Sequence, residues 1–155
     1  VYWMFGSLAR ATWGKLQILA AVTAAAFILT YRKAWDLNAL LLGDDAARST
    51  GIDAEKLRLA VLVLASLATA AIISMVGPIG FIGLVAPHLG RMLIGGDHRF
   101  LLPASCLIGA VLLLLADAAA RTLLAPEVIP VGIITSFVGV PLLIGLMLRR
   151  RKEYW

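Results

Sequence analysis

The chain has 155 residues, 61% of them hydrophobic and 15% charged, with a mean hydropathy of +0.94 and a formal net charge of +5. A soluble domain carries about a quarter charged residues, so this composition excludes an ordinary soluble domain and points to an all-α integral membrane protein, a polytopic helical bundle. The single cysteine, Cys106, excludes an intrachain disulfide, and the basic residues stand at the ends of apolar runs, which argues against a nucleic-acid partner.

The opening VYWMFGSLAR lacks the basic region and long apolar core of a signal peptide, and because it begins with Val a longer parent protein is expected. Four runs then carry no Asp, Glu, Lys or Arg: 16–31, 59–90, 100–116 and 128–148. Between the first two lies RKAWDLNALLLGDDAARSTGIDAEKLR, 32–58, with Arg32, Lys33, Arg48, Lys56 and Arg58. The C-terminal RRRK, 149–152, assigns that end to the cytoplasm by the positive-inside rule. Working backwards, 131–148 crosses outward, LAPEVIP is an outside loop, and 101–120 crosses back, leaving GGDHRF and Arg91 inside. Both ends of 59–90 are then cytoplasmic, which requires two crossings. Length agrees, because residues 57–95 as one helix would span about 58 Å against a hydrocarbon core of about 30 Å. The break falls at GPIG, where Gly77, Pro78 and Gly80 interrupt a helix. Five spans result, at about 16–31, 58–76, 81–95, 101–120 and 131–148, with the first residues outside. Of the 14 basic residues only Arg10, Lys15 and Arg121 then lie outside.

The short span 81–95 holds Gly83, Pro87, His88 and Arg91. Interrupted backbone at membrane depth needs cover from protein or a water-filled cavity. It reads either as a packed, kinked helix with Arg91 snorkelling to the interface or as an element lining a pathway. In GGDHR, Asp97 is placed to accept at a helix N-terminus and Arg99 to mark the interface. His88 and His98 stand ten residues apart, at mid-span and in a loop, which favours structural histidines over a metal site. Asp117 and Arg121 in ADAAAR are spaced for a local i,i+4 ion pair at the outer end of a span. Pro130 can start the last helix, where Gly132, Thr135, Ser136 and Gly139 suit close helix packing.

The segments GPIGFIGLVAPHLGRMLIGGDHRFLLPAS and LLLLADAAARTLLAPEVIPVGIITSFVGVPLLIGLMLRRRK closely resemble the C-terminal half of FecCD-type permeases. These are membrane subunits of ABC importers for iron–siderophore complexes, haem and cobalamin. The family pattern G-x-I-x-F-[IV]-G-L-x-x-P-H-x-x-R, then G-x-D-H-R, L-L-P, L-A-D-x-x-A-R and P-x-G-[IV]-[IV]-T, stands here in order, and YWMFGSL is similar to the segment after the family's fifth helix. The resemblance implies a ten-helix permease of which residues 1–155 form the C-terminal half, helices six to ten. It makes Gly77, Gly80, Gly83, Pro87, His88, Arg91, Asp97, His98, Arg99, Asp117 and Pro130 family-motif structural residues.

DAARSTG, at the centre of the loop at about 33–57, resembles the importer coupling motif E-A-A-x-x-x-G with Asp45 in place of Glu. The resemblance implies that Leu41, Leu42, Gly43, Asp45, Ala46, Ala47, Arg48 and Gly51 couple the permease to a cytoplasmic ABC ATPase dimer. A short helix capped by Gly51 is expected to present Ala46 and Ala47 to that partner, with Leu41 and Leu42 anchoring it to the membrane domain. The motif alone reads first as an ordinary amphipathic interfacial loop, and it is the rest of the family match that favours coupling. Arg121 is similarly implied to meet a glutamate on a periplasmic or lipoprotein substrate-binding protein, its other reading being the local pair with Asp117. The remaining expected partners are a second permease subunit, identical or not, and membrane lipids, in a bacterial inner membrane. No cofactor, metal site or catalytic residue is expected, and without a G-x-x-x-x-G-K-[ST] motif ATP is expected to bind elsewhere. An ion-driven transporter would want an acidic residue at mid-depth, whereas Asp117 sits near an outer end. An intramembrane hydrolase using His88 or Asp117 would lack a matched nucleophile and base.

Overall fold

A backbone surrounded by lipid has to satisfy its own N–H and C=O groups, so long uncharged runs fold as helices. The computed structural model describes residues 6, 8, 11–122 and 130–150, and among them there is no strand. The elements are α1 (Trp13–Tyr31), α2 (Ala34–Leu40), α3 (Asp44–Ser49), α4 (Ala54–Val76), α5 (Ile82–Ile94), α6 (His98–Thr122) and α7 (Val131–Arg150). The five predicted spans correspond to α1 and α4 to α7, and the polar loop folds into α2 and α3.

Three helices, α1, α4 and α6, are long and apolar enough to cross a membrane by themselves. With 13 residues, α5 reaches only about 20 Å, short of the roughly 30 Å hydrocarbon core. The span that the sequence assigns to 81–95 is therefore shorter as a helix than expected, and the residues before it, 77–81, are non-helical. The break falls where GPIG predicts it. Gly77, at φ +79°, ends α4 while its N–H still donates to the Ile73 carbonyl at 2.9 Å. Phe81 then starts α5 from φ +67°, the one positive φ at a non-glycine among the described residues.

Helices α5 and α6 form an antiparallel pair joined through residues 95–97. Gly95, at φ +95°, makes the turn that ends α5. Val85, Ala86 and Gly90 are the buried face of α5. A methyl group on Gly90 would lie 3.1 Å from Leu101 Cδ1 and 3.2 Å from Ser105 Oγ, so the two helices meet at van der Waals contact through a residue with no side chain. Ala116 and Ala120 of α6 make a second contact with Val131 of α7, closed by Leu8, Leu113 and Ile134. A third contact joins α1 to α4. Small residues fill these seams, while Leu67, Leu107, Leu114 and Phe137 point outward. That distribution suits lipid or further helices around the bundle, where packing rather than water exclusion joins helices.

One end of the bundle gathers α2, α3, the 95–97 turn and the starts of α4 and α6. The other gathers residues 77–81, the last turn of α6 and the start of α7, where the Gly132 N–H points to the Gly6 carbonyl at 3.5 Å. The segments that charge counting assigns to one face of the membrane thus share one end.

Candidate functional site

The polar end is built from two short helices, each too short to hold its shape by its own hydrogen bonds. Gly43, at φ +106°, turns the chain between α2 and α3. Gly51, at φ +83°, ends α3, with its N–H donating to the Arg48 carbonyl at 2.9 Å and the Ile52 N–H to the Ala47 carbonyl at 3.0 Å. This pair of bonds is a Schellman cap, which needs a left-handed residue and so favours glycine. Arg58 braces the start of α3 with two parallel bonds to the Asp44 carboxylate, Nη1 to Oδ2 at 2.9 Å and Nη2 to Oδ1 at 2.6 Å. Those hydrogen bonds hold the Asp44 carboxyl below the ordinary carboxylate range. Asp53 caps α4 by accepting the Lys56 N–H at 3.1 Å.

Two expectations for this loop are corrected. Ala47 is fully buried and cannot be presented to a partner, while Ala46 is half-buried. The six-residue α3 must keep one face on α2 and α4, and position 47 lies on that face. Leu42 is 81% exposed and Leu41 55%, so neither is anchored in the bundle. They occupy the α2–α3 turn, where Leu41 only brushes past Gly96. Of the residues implied in coupling, Leu41, Leu42, Gly43, Asp45, Arg48 and Gly51 are exposed.

Behind that surface stands a cluster that sequence reading only half identifies. Asp97 caps α6, its Oδ1 accepting the Arg99 N–H at 2.9 Å. The same oxygen accepts the Asn38 amide N–H at 2.7 Å across from α2. Asn38 returns its amide oxygen to the His98 N–H at 2.8 Å and to His98 Nδ1 at 2.9 Å. A carboxylate only accepts and a backbone N–H only donates, so the Asn38 amide has one orientation and His98 Nδ1 carries a proton. Arg99 pairs with Asp97, Nη2 to Oδ2 at 2.7 Å, and its guanidinium carbon lies 4.0 Å over the centroid of the Trp35 ring. Arg99 is thus held within a cluster and is more than an interface marker. The Arg99 guanidinium first, and Asn38 second, hold the Asp97 carboxyl well below the usual range, which keeps it ionised at any physiological pH. Asn38 and Trp35 have no sequence signal, since their partners lie about sixty positions away.

The other predicted residues are spread along the bundle. Pro87 and His88 are half-buried in α5 and Arg91 is exposed in its last turn. A methyl group at Gly83 would meet nothing within 4 Å, and one at Gly80 only Ser136 Oγ at 3.9 Å. The tight glycine of this motif is Gly90, which the sequence does not distinguish from the rest. At the far end Arg121 Nε donates to Asp117 Oδ2 at 2.8 Å, the i,i+4 pair read from the spacing. Pro130 precedes α7 and its carbonyl accepts the Ile133 N–H at 3.1 Å. Thr135 and Ser136 turn their hydroxyls back onto the Gly132 carbonyl, at 3.1 and 2.7 Å. Most of YWMFGSL and of LAPEVIP, together with Arg151 and Lys152, lie outside the described residues.

Between α5, α6 and α7 an apolar cavity of about 220 Å³ is lined by Phe81, Val85, Leu112, Ile134 and Val138 among others. Thr135 is the polar residue in its wall, and its hydroxyl already donates to Gly132. Such a cavity suits hydrocarbon and offers no charged group to an ion.

Comparison with known proteins points one way. A sequence model of the FecCD transport family matches residues 1–149. A putative ABC transporter permease of Methanocaldococcus jannaschii is 50% identical over 99% of the chain and 44% of its own length. The hemin transport system permease of Yersinia pestis is 45% identical over 97% of the chain and 45% of its own length. A solved structure described as an inward-facing conformation of a putative metal-chelate type ABC transporter superposes with a TM-score of 0.88 at 35% identity, over 96% of the chain and 48% of its own. The chain spans less than half the length of the curated relatives it matches.

Proposed function

The chain belongs to the FecCD transport family, and on that premise we propose that it forms the C-terminal half of the permease subunit of an ABC importer for iron–siderophore or related metal chelates. The observation that carries this reading is the polar end, a short helix capped at Gly51, braced by Arg58 and tipped by an exposed Leu42. An exposed, braced tip of this kind suits an element that enters a groove on another protein. Relatives described as hemin, iron(3+) dicitrate and cobalamin permeases support the chelate class. Since those relatives come from archaea and bacteria alike, the location is a prokaryotic plasma membrane.

The polar end then faces the cytoplasm and meets a separate ATPase dimer. Closure of that dimer moves Leu41–Gly51, and two packed permease subunits pass between outward- and inward-open states. The permease hydrolyses nothing itself. An ion-driven transporter fits less well, because Asp117, the acidic residue deepest in the described spanning helices, is already paired with Arg121. Reconstitution of the full-length parent with its ATPase and binding protein tests the reading. Uptake is expected to need ATP and the ATPase, and uptake that persists without the ATPase would reject it.

Arg121 is the candidate for docking the binding protein on the opposite side. Its side chain is half-exposed at the last turn of α6, where Nε donates to Asp117. Arg121→Glu is expected to slow binding-protein association about tenfold at low salt, with the difference shrinking as salt rises. An unchanged association rate at every salt concentration would assign Arg121 to the local ion pair alone.

A further inference from the structure

Asn38 and Asp97 are 59 positions apart, yet the start of α6 is not complete without α2. A helix leaves its first N–H groups without partners inside the helix. In α6 the Arg99 N–H is taken by Asp97, as expected of an N-cap, but the His98 N–H is taken by Asn38 from another element. Asn38 also reaches the capping carboxylate itself, and Trp35, one turn earlier on α2, stacks on the arginine that pairs with that carboxylate. Four contacts from one face of a seven-residue helix thus converge on three consecutive residues. Toward α4 the loop is braced by the ion pair of Asp44 with Arg58 and by the packing of α3.

We propose that Trp35, Asn38, Asp97, His98 and Arg99 form a clamp that locks α2 to the start of α6, so that a displacement of the loop turns or tilts α6 directly. The inference rests on the permease reading and names the route by which the ATPase's motion enters the membrane. The route continues within one turn. Leu101 and Ser105 of α6 lie against Gly90 so closely that a methyl group there would crowd them, so α5 follows α6. Helix α5 begins at Phe81 after a non-helical stretch, which leaves its far end free of a continuous helical link to α4. The clamp residues act through the helices and touch neither ATP nor substrate, so they are positioning residues.

The test is the ratio of substrate imported to ATP hydrolysed, measured on the full-length permease reconstituted with its ATPase and binding protein. Asn38→Ala is expected to leave ATP hydrolysis running while the ratio falls about tenfold. Trp35→Ala should lower it about threefold, and Trp35→Phe, which keeps an aromatic face under Arg99, should stay near the wild type. Trp35 is largely exposed, so its variants report even where Asn38→Ala does not assemble. Transport and hydrolysis falling in step, with the ratio unchanged, would overturn the clamp while leaving the permease reading intact. A wild-type complex whose uptake ignores ATP would remove both.

Discussion

Leu42→Asp is expected to abolish ATP-driven uptake, by a hundredfold or more, while leaving the folded permease unchanged. The side chain is 81% exposed at the α2–α3 turn, so nothing in the bundle loses a contact. In a groove on the ATPase the same leucine would be buried. Burying it contributes about 1.5–3 kcal/mol, and an unpaired carboxylate in its place adds a desolvation cost on top. At about 1.4 kcal/mol per factor of ten, the two together exceed two orders of magnitude in association. Retention of the ATPase on the tagged permease, against thermal stability of the permease alone, separates loss of docking from loss of fold. Leu42→Trp distinguishes this from the alternative that the turn rests on lipid headgroups. Tryptophan is favoured at a membrane interface but oversized for a groove shaped to leucine, so retained uptake in Leu42→Trp would favour the lipid. Ala47 gives no such reading, because any larger residue there would first disrupt α3.

The parts of this arrangement that were legible in the sequence are those set by local chemistry. Uncharged runs give the helices, and the charges at both ends of 57–95 together with its length call for a break within it, which falls between α4 and α5. Gly77 marks the break and Gly51 the end of α3, because each supplies a positive φ that few residues allow, and Pro78 adds a residue with no N–H to continue a helix. What was illegible depends on where a side chain points after folding. The six residues of α3 are too few to show a period, so the buried Ala47 and half-buried Ala46 look alike in DDAARS. Gly83 and Gly90 sit seven residues apart on one helix, and only the second lies against a neighbour. Asn38 and Trp35 gain their meaning from Asp97 and Arg99, and no local pattern could announce that.

The second large effect is expected at the opposite end, at Gly139. A methyl group there would overlap Cβ of Phe81 and crowd its ring. Phe81 has little room to yield. Its carbonyl accepts both the Leu84 N–H at 3.0 Å and the Val85 N–H at 2.9 Å, so it anchors the first turn of α5. Its φ of +67° is already unfavourable for an L-residue, at a cost of about 1–3 kcal/mol in such positions. Gly139→Ala is therefore expected to destabilise the permease by about 2–3 kcal/mol, the upper part of the range for overpacking a close contact, read as a lowered unfolding midpoint in mild detergent. Phe81→Gly has opposing effects, since it relieves the positive φ but removes a ring from the α5–α7 seam. In the Gly139→Ala background the Phe81 side chain, from Cβ outward, is itself the obstacle, so its removal should cost less there, or even stabilise. The coupling between the two changes is expected to be at least about 1 kcal/mol, within the range for residues in direct contact. Additive effects would mean that α7 does not press on the Phe81 turn, and that the short α5 is held in place by α6 alone.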